Sequence, residues 1–598
     1  MSLRIAALVK QIPAFEAMEL GPDSRLVRDG LELEMNPYCR RAVAKAVELA
    51  QEHGGTVTLC TLGPPNAEDC LREGIAWGLD RNVETSGVLI TDPEFAGSDT
   101  LATARALAAA LVREGPFDLI LTGRNSVDAD TGQVGPELAE LMGLPFATAV
   151  RHLSLAEGVL DLRCQHDDGW VQVRVALPAL ISTAERLTEP CKVDPPGRAA
   201  VDADRIRAVD AAALGAGPWG QAASPTSVGA VRVHEVARDR RVWRDTSLQE
   251  QVENAVGLLA LRGAFDSSHD HLATTGEVTP AVHVASRADD RVVLVVLEPG
   301  HDALARELLG TSSMFDAHVV AITVEKPDAD VLGGWGADEI VELPGLVIEE
   351  DIASGVKELA REVHPWAIIA PGTAWGREIA SRVAAGLSAG LTGDAIGFQV
   401  EDGRLVGLKP AFGGRLVAAI HATSDVQMAT VRAGMLPMMT PREYRAPIRS
   451  LEVAQTSRVE VLARVRDDDL DVLAEASAVV GVGEAIDPSD YPRLQLLLDV
   501  LGAELGATRK VTDRGWLPRA RQIGITGRSI APRLFISIGA SGKFNHMVGV
   551  RGALNVLAVN NDPNALVFDV ADAGIVGEWQ AVIPLLVEEL SRRYPPTS

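Results

Sequence analysis

Two turns in the last quarter of the chain have the residue types of a phosphate-binding site. Gln522, Ile523, Gly524, Ile525, Thr526 and Gly527 precede the apolar run LFISI, and IGASGKFNH (538–546) follows it. Glycine lets the backbone approach a phosphate closely. At the C-terminal end of a parallel strand, N–H groups and helix N-termini point outward, which is where ligands bind. Ser541, Asn545 and His546 add side-chain hydrogen-bonding groups, and Thr526 lies beside two glycines. VNNDP (559–563) puts more polar groups at the end of the next apparent strand. Taken one at a time, such turns are equally explained by a need for positive φ. Three of them ending consecutive strands favour a bound phosphorylated cofactor. GVGEA (481–485) also follows a strand, but it is not G-x-G-x-x-G. The chain has no G-x-S-x-G elbow, no G-x-x-x-x-G-K-[ST] loop and no H-E-x-x-H. A cofactor binder without an acid–base or nucleophile set is a candidate carrier, because the cofactor brings the chemistry.

These turns need strands and helices to hold them. The 598 residues exceed what one core can organise, so three or four domains are expected. The chain is 47% hydrophobic but only 4% aromatic, a bias towards helices packed on parallel strands. A net charge of −26 disfavours nucleic acid and anionic membranes as partners. Cys39, Cys60, Cys70, Cys164 and Cys191 show no C-x-x-C spacing, which reads as reduced thiols rather than a zinc site or disulfide framework. The start, MSLRIAALVKQIP, has an apolar run too short for a signal peptide, and no run approaches the ~20 apolar residues of a membrane helix. The reading is a cytoplasmic protein.

LRIAALVK, TVTLCTLG and FDLILTG have the length and composition of buried strands. CRRAVAKAVELAQEHGG reads as a helix ending on a Gly pair, and NAEDCLREGIAWG as another with Asn66 as N-cap. Strand–helix alternation of this kind implies a parallel sheet. PFDLILTGRNS (116–126) is echoed by PWAIIAPGTAW (365–375), and GPELAELMGL by EIASRVAAGL. Each copy precedes a strand-rich segment with an E-G or D-G turn, so a duplicated α/β domain is expected. AAALGAGPWGQAASPTSVG (211–229) reads as an extended connector, SLQEQVENAVGLLALRG as an amphipathic helix, and DSSHDHLATTGE as a linker. His269, Asp270 and His271 in that linker are read as solvated, since a closed metal site normally needs four well-placed ligands. A last unit begins near Arg458, with a helix expected over YPRLQLLLDVLGAELG.

GATRKVTDRGW, the two turns and NNDPNALVFDVADAGIVGE together resemble the FAD domain of the electron transfer flavoprotein α subunit. LTGDAIGFQVEDGRLVGLKPAFGG and QMATVRAGMLP resemble that subunit's N-terminal domain. LVKQIP, MNPYCRRAVAKAVEL, GRNSVDADTGQVGPELAELMGLP and ALPALISTAERLTEP resemble the β subunit. The resemblance runs over nearly the whole chain and implies β-like and α-like halves fused in one polypeptide. It implies three doubly wound parallel-sheet α/β domains: a β-like domain with C-terminal arm and helix (1–263), a linker (264–290), an α-like N-terminal domain (291–450) and an FAD-binding domain (451–598). It implies FAD held by Thr508, Arg509, Gln522, Ile523, Gly524, Ile525, Thr526, Gly527, Ser541, Gly542, Lys543, Phe544, Asn545, His546, Asn560, Glu578 and Trp579. Arg509 would lie over the isoalloxazine, Thr526 near flavin N5 and His546 near the C2 carbonyl. AMP, or a second adenine cofactor, would sit on Asn36, Asp128, Thr131, Gly132, Gln133 and Val134.

The function implied is an electron carrier rather than an enzyme with its own substrate. It would take electrons from a flavin-dependent dehydrogenase and pass them to a quinone oxidoreductase or other redox protein. The alternatives are a bifurcating relative that oxidises NADH on a second FAD, and a flavin-free adenine-nucleotide binder. Departures from the family pattern carry expectations too. Glu484 stands where the family has an Arg that contacts FAD, and it should repel a pyrophosphate. Ile525 and Asn545 replace two glutamines, and Lys409 replaces an Arg. In the dehydrogenase-docking loop, CKVDPPGR (191–198), Pro195 replaces a leucine.

Overall fold

The computed structural model describes the chain except residues 1, 14–31, 168, 185, 234–237, 266–290, 412–415, 438, 467–471, 474–475, 525–526, 529, 551 and 595–598. His269, Asp270 and His271 therefore lie outside the described residues, as do Ile525 and Thr526.

Three sheets built on parallel strands organise the fold, each apolar and buried on both faces. In the first, the parallel strands run in the order Ile206–Val209, Glu84–Ile90, Gly55–Leu62, Leu3–Leu8, Leu119–Gly123, Ala179–Thr183 and Phe146–Ala156. The second runs Ile448–Ser450, Glu339–Glu342, His318–Thr323, Val292–Val296, Ala367–Pro371, Gln427–Val431 and Gly390–Ala395. Counted from the first strand of each unit, the two orders coincide position by position, as a duplicated domain requires. The meander hairpins match as well. Glu157 and Gly158 turn one with φ of 52° and 78°, and Asp402 and Gly403 turn the other with φ of 50° and 76°. Paired positive φ values are what a two-residue hairpin needs.

The two halves of the chain exchange strands. Val459–Arg466 pairs antiparallel with Gly169–Ala176 at the edge of the first sheet. Thr226–Val233 pairs antiparallel with Leu416–Ala422 in the meander of the second unit. The duplicated helices Val134–Met142 and Ala374–Leu387 pack against each other between the units. In that seam the buried Arg382 lies 3.2 Å from Glu378 and 3.7 Å from Glu140, and Glu140 also binds Lys357.

The third sheet is all parallel, in the order Arg241–Val242, Ala573–Val576, Asn555–Asn560, Leu534–Ile538, Ala478–Val482 and Glu504–Ala507. Its outermost strand comes from the arm that follows the first unit. Helix Leu248–Leu261, held by a capping box between Ser247 and Glu250, buries Val252, Ala255, Val256 and Leu259 against the same sheet. Arg238 and Arg262 of this arm lie 2.8 and 3.2 Å from the fully buried Asp572.

Three local expectations change. Asn66 lies inside a 3-10 turn, Pro65–Ala67, and caps nothing; helix Glu68–Leu79 starts beyond it. The helix expected over 491–506 is a 3-10 segment Pro488–Leu494, a two-turn helix Gln495–Leu501 and then strand Glu504–Ala507. Pro492 cannot donate the hydrogen bond an α-helix would need there. The connector 211–229 holds a short helix Ala211–Leu214, and its end belongs to strand Thr226–Val233.

Candidate functional site

The order in which strands are added reverses between Ala478–Val482 and Leu534–Ile538, since the strand after the first lies to one side and the next to the other. Ligands of open parallel sheets bind in the crevice beyond the C-terminal ends of such a strand pair. Here the crevice is walled by the turns beginning at Gly483 and Gly539. A Cβ on Gly483 would lie 2.1 Å from the Gly539 carbonyl oxygen, so only glycine lets the turns meet. Gly542, at φ 76°, passes so close to the next loop that a Cβ would stand 2.1 Å from Val567 N. Ser541 and Lys543 flank it and are exposed. Asn560 braces this wall: its Nδ2 donates to the Ala540 carbonyl at 2.9 Å, and its Oδ1 accepts from Asp562 N at 2.9 Å. Glu578 accepts from Asn561 Nδ2 at 3.1 Å, while Trp579 is buried in the helix–sheet core under Arg493.

The other predicted turn docks on the strand Glu504–Ala507. Ile523 N donates to the Ala507 carbonyl at 2.9 Å, and the Ile523 side chain enters the core on the opposite face. Gln522 is buried and accepts from Thr512 Oγ1 at 2.8 Å. Gly524 has φ 136°, and a Cβ on Gly527 would stand 2.3 Å from the Gln522 carbonyl oxygen, so both turn positions require glycine. The turn is tied to the first wall through His546, whose Nδ1 lies 3.0 Å from the Ile523 carbonyl. A carbonyl only accepts, so Nδ1 carries the proton. Nε2 is buried and has no hydrogen-bond partner among the described residues, and burial pushes the imidazole pKa down. Buried polar atoms usually have a hydrogen-bond partner, so Nε2 is available to one that a bound ligand supplies. The side chains of Phe544 and Asn545 lie outside the description.

Cations gather at the far end of the crevice. Thr508 stands at the N-cap of the short helix Arg509–Asp513 without a side-chain capping bond. Arg509 Nε lies 3.2 Å from Asp513, and Asp513 is also bound by Arg186 of the first unit. Glu484, expected to repel a phosphate, is instead held by Lys510 at 2.7 Å and by Arg514. Four cations surround two carboxylates, so the local charge is positive despite Glu484.

The first unit has its own crevice, between Leu3–Leu8 and Leu119–Gly123. Asn36, fully buried, donates to the Asn125 carbonyl at 2.9 Å and accepts from Val127 N at 3.3 Å. Lys10 Nζ binds Asp128 at 2.8 Å and Ser126 Oγ at 3.2 Å. Burial pushes Asp128 up, but Lys10 outweighs it and holds the carboxyl below its ordinary value. Thr131 is half-buried, Gly132 takes φ 66°, and Val134 opens helix Val134–Met142. Gln133 reaches across the seam, donating to the Leu391 carbonyl at 3.3 Å and accepting from Thr100 at 2.9 Å. The corresponding place in the second unit is taken by protein. Asp167 of the first unit accepts Ala374 N at 2.5 Å, at the start of helix Ala374–Leu387. Arg466 packs where a side chain on Gly300 would project.

The sequence reading placed the glycine turns but missed Asp167, Arg186 and Asp513, which meet only through tertiary structure. Lys409 is buried and donates to the Gly393 carbonyl at 3.0 Å. Pro195 opens the short helix Pro195–Ala199, capped by Asp194.

Fold and site define a class: doubly wound proteins that bind nucleotides at the reversal of a parallel sheet. Residues 24–214 and 281–456 match the electron transfer flavoprotein domain, and 472–551 match the electron transfer flavoprotein FAD-binding domain. The chain belongs to the electron transfer flavoprotein family. It is 33% identical over 292 residues to the electron transfer flavoprotein subunit alpha of Thermoanaerobacterium thermosaccharolyticum, covering 46% of this chain and 87% of that protein. It is 33% identical over 338 residues to Protein FixB of Rhizobium meliloti, covering 52% of this chain and 95% of that one. The electron transfer flavoprotein subunit alpha of Bacillus subtilis is 32% identical over 267 residues, 43% of this chain and 82% of its own. FAD is the cofactor, and the family supports a role in electron transfer with redox partner proteins. The residues fit it: glycine turns for a pyrophosphate, surplus positive charge and a buried imidazole nitrogen lacking a partner among the described residues. Among the described residues no helix is long and apolar enough to cross a membrane.

Proposed function

We propose that the chain is an electron transfer flavoprotein with β-like and α-like halves on one polypeptide, carrying FAD in the third sheet's crevice. The observation that carries the reading is the buried Nε2 of His546, without a hydrogen-bond partner among the described residues, inside the segment that matches the FAD-binding domain. Bound FAD supplies the reversible uptake of electrons. Thr508, Arg509, the 522–527 turn and the 541–546 turn hold it, with Asn560, Glu578 and Trp579 behind the adenine and ribose end. The Ile523 carbonyl fixes the His546 tautomer, so Nε2 faces its ligand as an acceptor when neutral and as a donor when protonated. Arg509, Lys510 and Arg514 set a positive field that favours added negative charge on the ring. The coincident strand orders, the exchanged strands and α-subunit relatives matching about half the chain support the two-half reading. In the first crevice, Asn36, Asp128 and Thr131 to Val134 bind AMP. Electrons come from a flavin-dependent dehydrogenase and pass to a quinone oxidoreductase or another redox protein.

Nucleotides released by denaturation and identified by mass spectrometry test the reading. One FAD and one AMP per chain is the expected result. Two FAD per chain, with NADH bleaching the flavin, would replace it with a bifurcating relative. Adenine nucleotide without flavin would reject the carrier altogether.

A further inference from the structure

The FAD-binding unit touches the first unit beside the residues assigned to flavin. Arg186 binds Asp513, which also pairs with Arg509, and Arg528, just past the 522–527 turn, donates to the Asp167 carbonyl at 2.9 Å. Asp167 therefore joins all three units, since its carboxylate holds Ala374 N. Arg186 has φ 68°, a left-handed backbone that residues other than glycine occupy at some cost. A strained residue held in a charge contact across a domain boundary is a candidate for function rather than packing.

Resting on the reading that Arg509 adjoins FAD, we propose that Arg186 is a positioning residue for the flavin site, acting through Asp513. One carboxylate is shared by two guanidinium groups. With Arg186 in place, Asp513 compensates Arg509 only in part, and Arg509 keeps a net positive field towards the crevice. Without Arg186, Asp513 belongs to Arg509 alone and cancels more of that field. The reduction potential of the bound FAD thereby depends on how its domain is seated on the first unit. Both side chains are exposed, so the pair adds little to stability, and salt weakens its effect.

The experiment measures FAD content and midpoint potential of the full chain at low and high salt. Arg186→Gln is expected to keep one FAD per chain and to shift the oxidised state towards favour by about tenfold, which is ~30 mV lower for a two-electron couple. Arg186→Lys should restore most of the potential, and high salt should shrink the difference. Asp513→Asn should raise the potential, and adding Arg186→Gln to it should change nothing further. An unchanged potential in Arg186→Gln, or an equal shift with and without Asp513, overturns the proposal. Arg509→Gln separates the two failures. If it too leaves the potential unmoved, the placement of Arg509 is wrong; if it lowers the potential while Arg186→Gln does not, only the coupling fails.

Discussion

Gly542 shows what single residues contribute to this site. Its φ of 76° is costly for any residue with a side chain, and its Cβ position is already taken by the backbone of Val567. Gly542→Ala combines roughly 1–2 kcal/mol of left-handed strain with that collision. Purified Gly542→Ala protein should lose most of its FAD, measured as flavin absorbance per chain. Gly502 offers a control in the same unit, because it has φ 57° but open space around it. Gly502→Ala should lower the melting temperature slightly and keep its FAD; equal FAD loss in both variants would show that strain alone explains the effect. At this scale the sequence was informative about glycines and silent about charge. Positive φ and close approach are local demands, so a turn rich in Gly announces them. Glu484 looked hostile to phosphate because nothing local shows that Lys510 and Arg514, 26 and 30 residues on, come back to it.

Among the elements, the arm 238–264 matters most. It is continuous with the first unit yet completes the core of the third. Its Arg238 is buried against Asp572, and breaking a buried pair by removing one partner costs about 3–5 kcal/mol. Asp572→Ala should therefore lower the melting transition of the FAD-binding unit and speed proteolysis of the arm. Asp572→Asn should do less, since an amide oxygen can still accept from Val556 N, which the carboxylate now meets at 2.7 Å. Calorimetry with separate tracking of flavin release checks both. Strands and helices of the parallel units were legible because apolar runs and helical periodicity are short-range signals. The pairing of Thr226–Val233 with Leu416–Ala422 was not, because a partner nearly two hundred residues away leaves no mark on local pattern. The strand Glu504–Ala507 was hidden for a different reason: its residues continue a helical pattern until Gly502 ends the helix in a left-handed turn.

For the whole molecule, the seam between the duplicated units is built from buried charge. Glu137 is buried with a carboxyl oxygen 2.9 Å from Thr100 Oγ1, and burial pushes its carboxyl up to about 8. Burial also raises Glu378, against the pull of Arg382. A carboxyl whose folded value exceeds its ordinary value of 4.5 favours folding while protonated. That stabilisation is full below pH 4.5 and is lost as pH rises towards 8. The melting temperature should fall between pH 5 and 8, and Glu137→Gln should flatten the fall by about 2 °C or more. Parallel curves for the two proteins would remove Glu137 from the account.

The exchanged strands also bear on how the chain is made. Strand Gly169–Ala176 alternates buried Val171, Val173 and Val175 with exposed residues, and its outer edge is paired by Val459–Arg466. Translation at ≈5–20 residues per second separates the two by roughly 15 to 60 s. Throughout that interval a finished sheet presents an unpaired, β-branched edge to every neighbouring nascent chain. The ribosome, not the folded protein, is where this architecture is most exposed to aggregation.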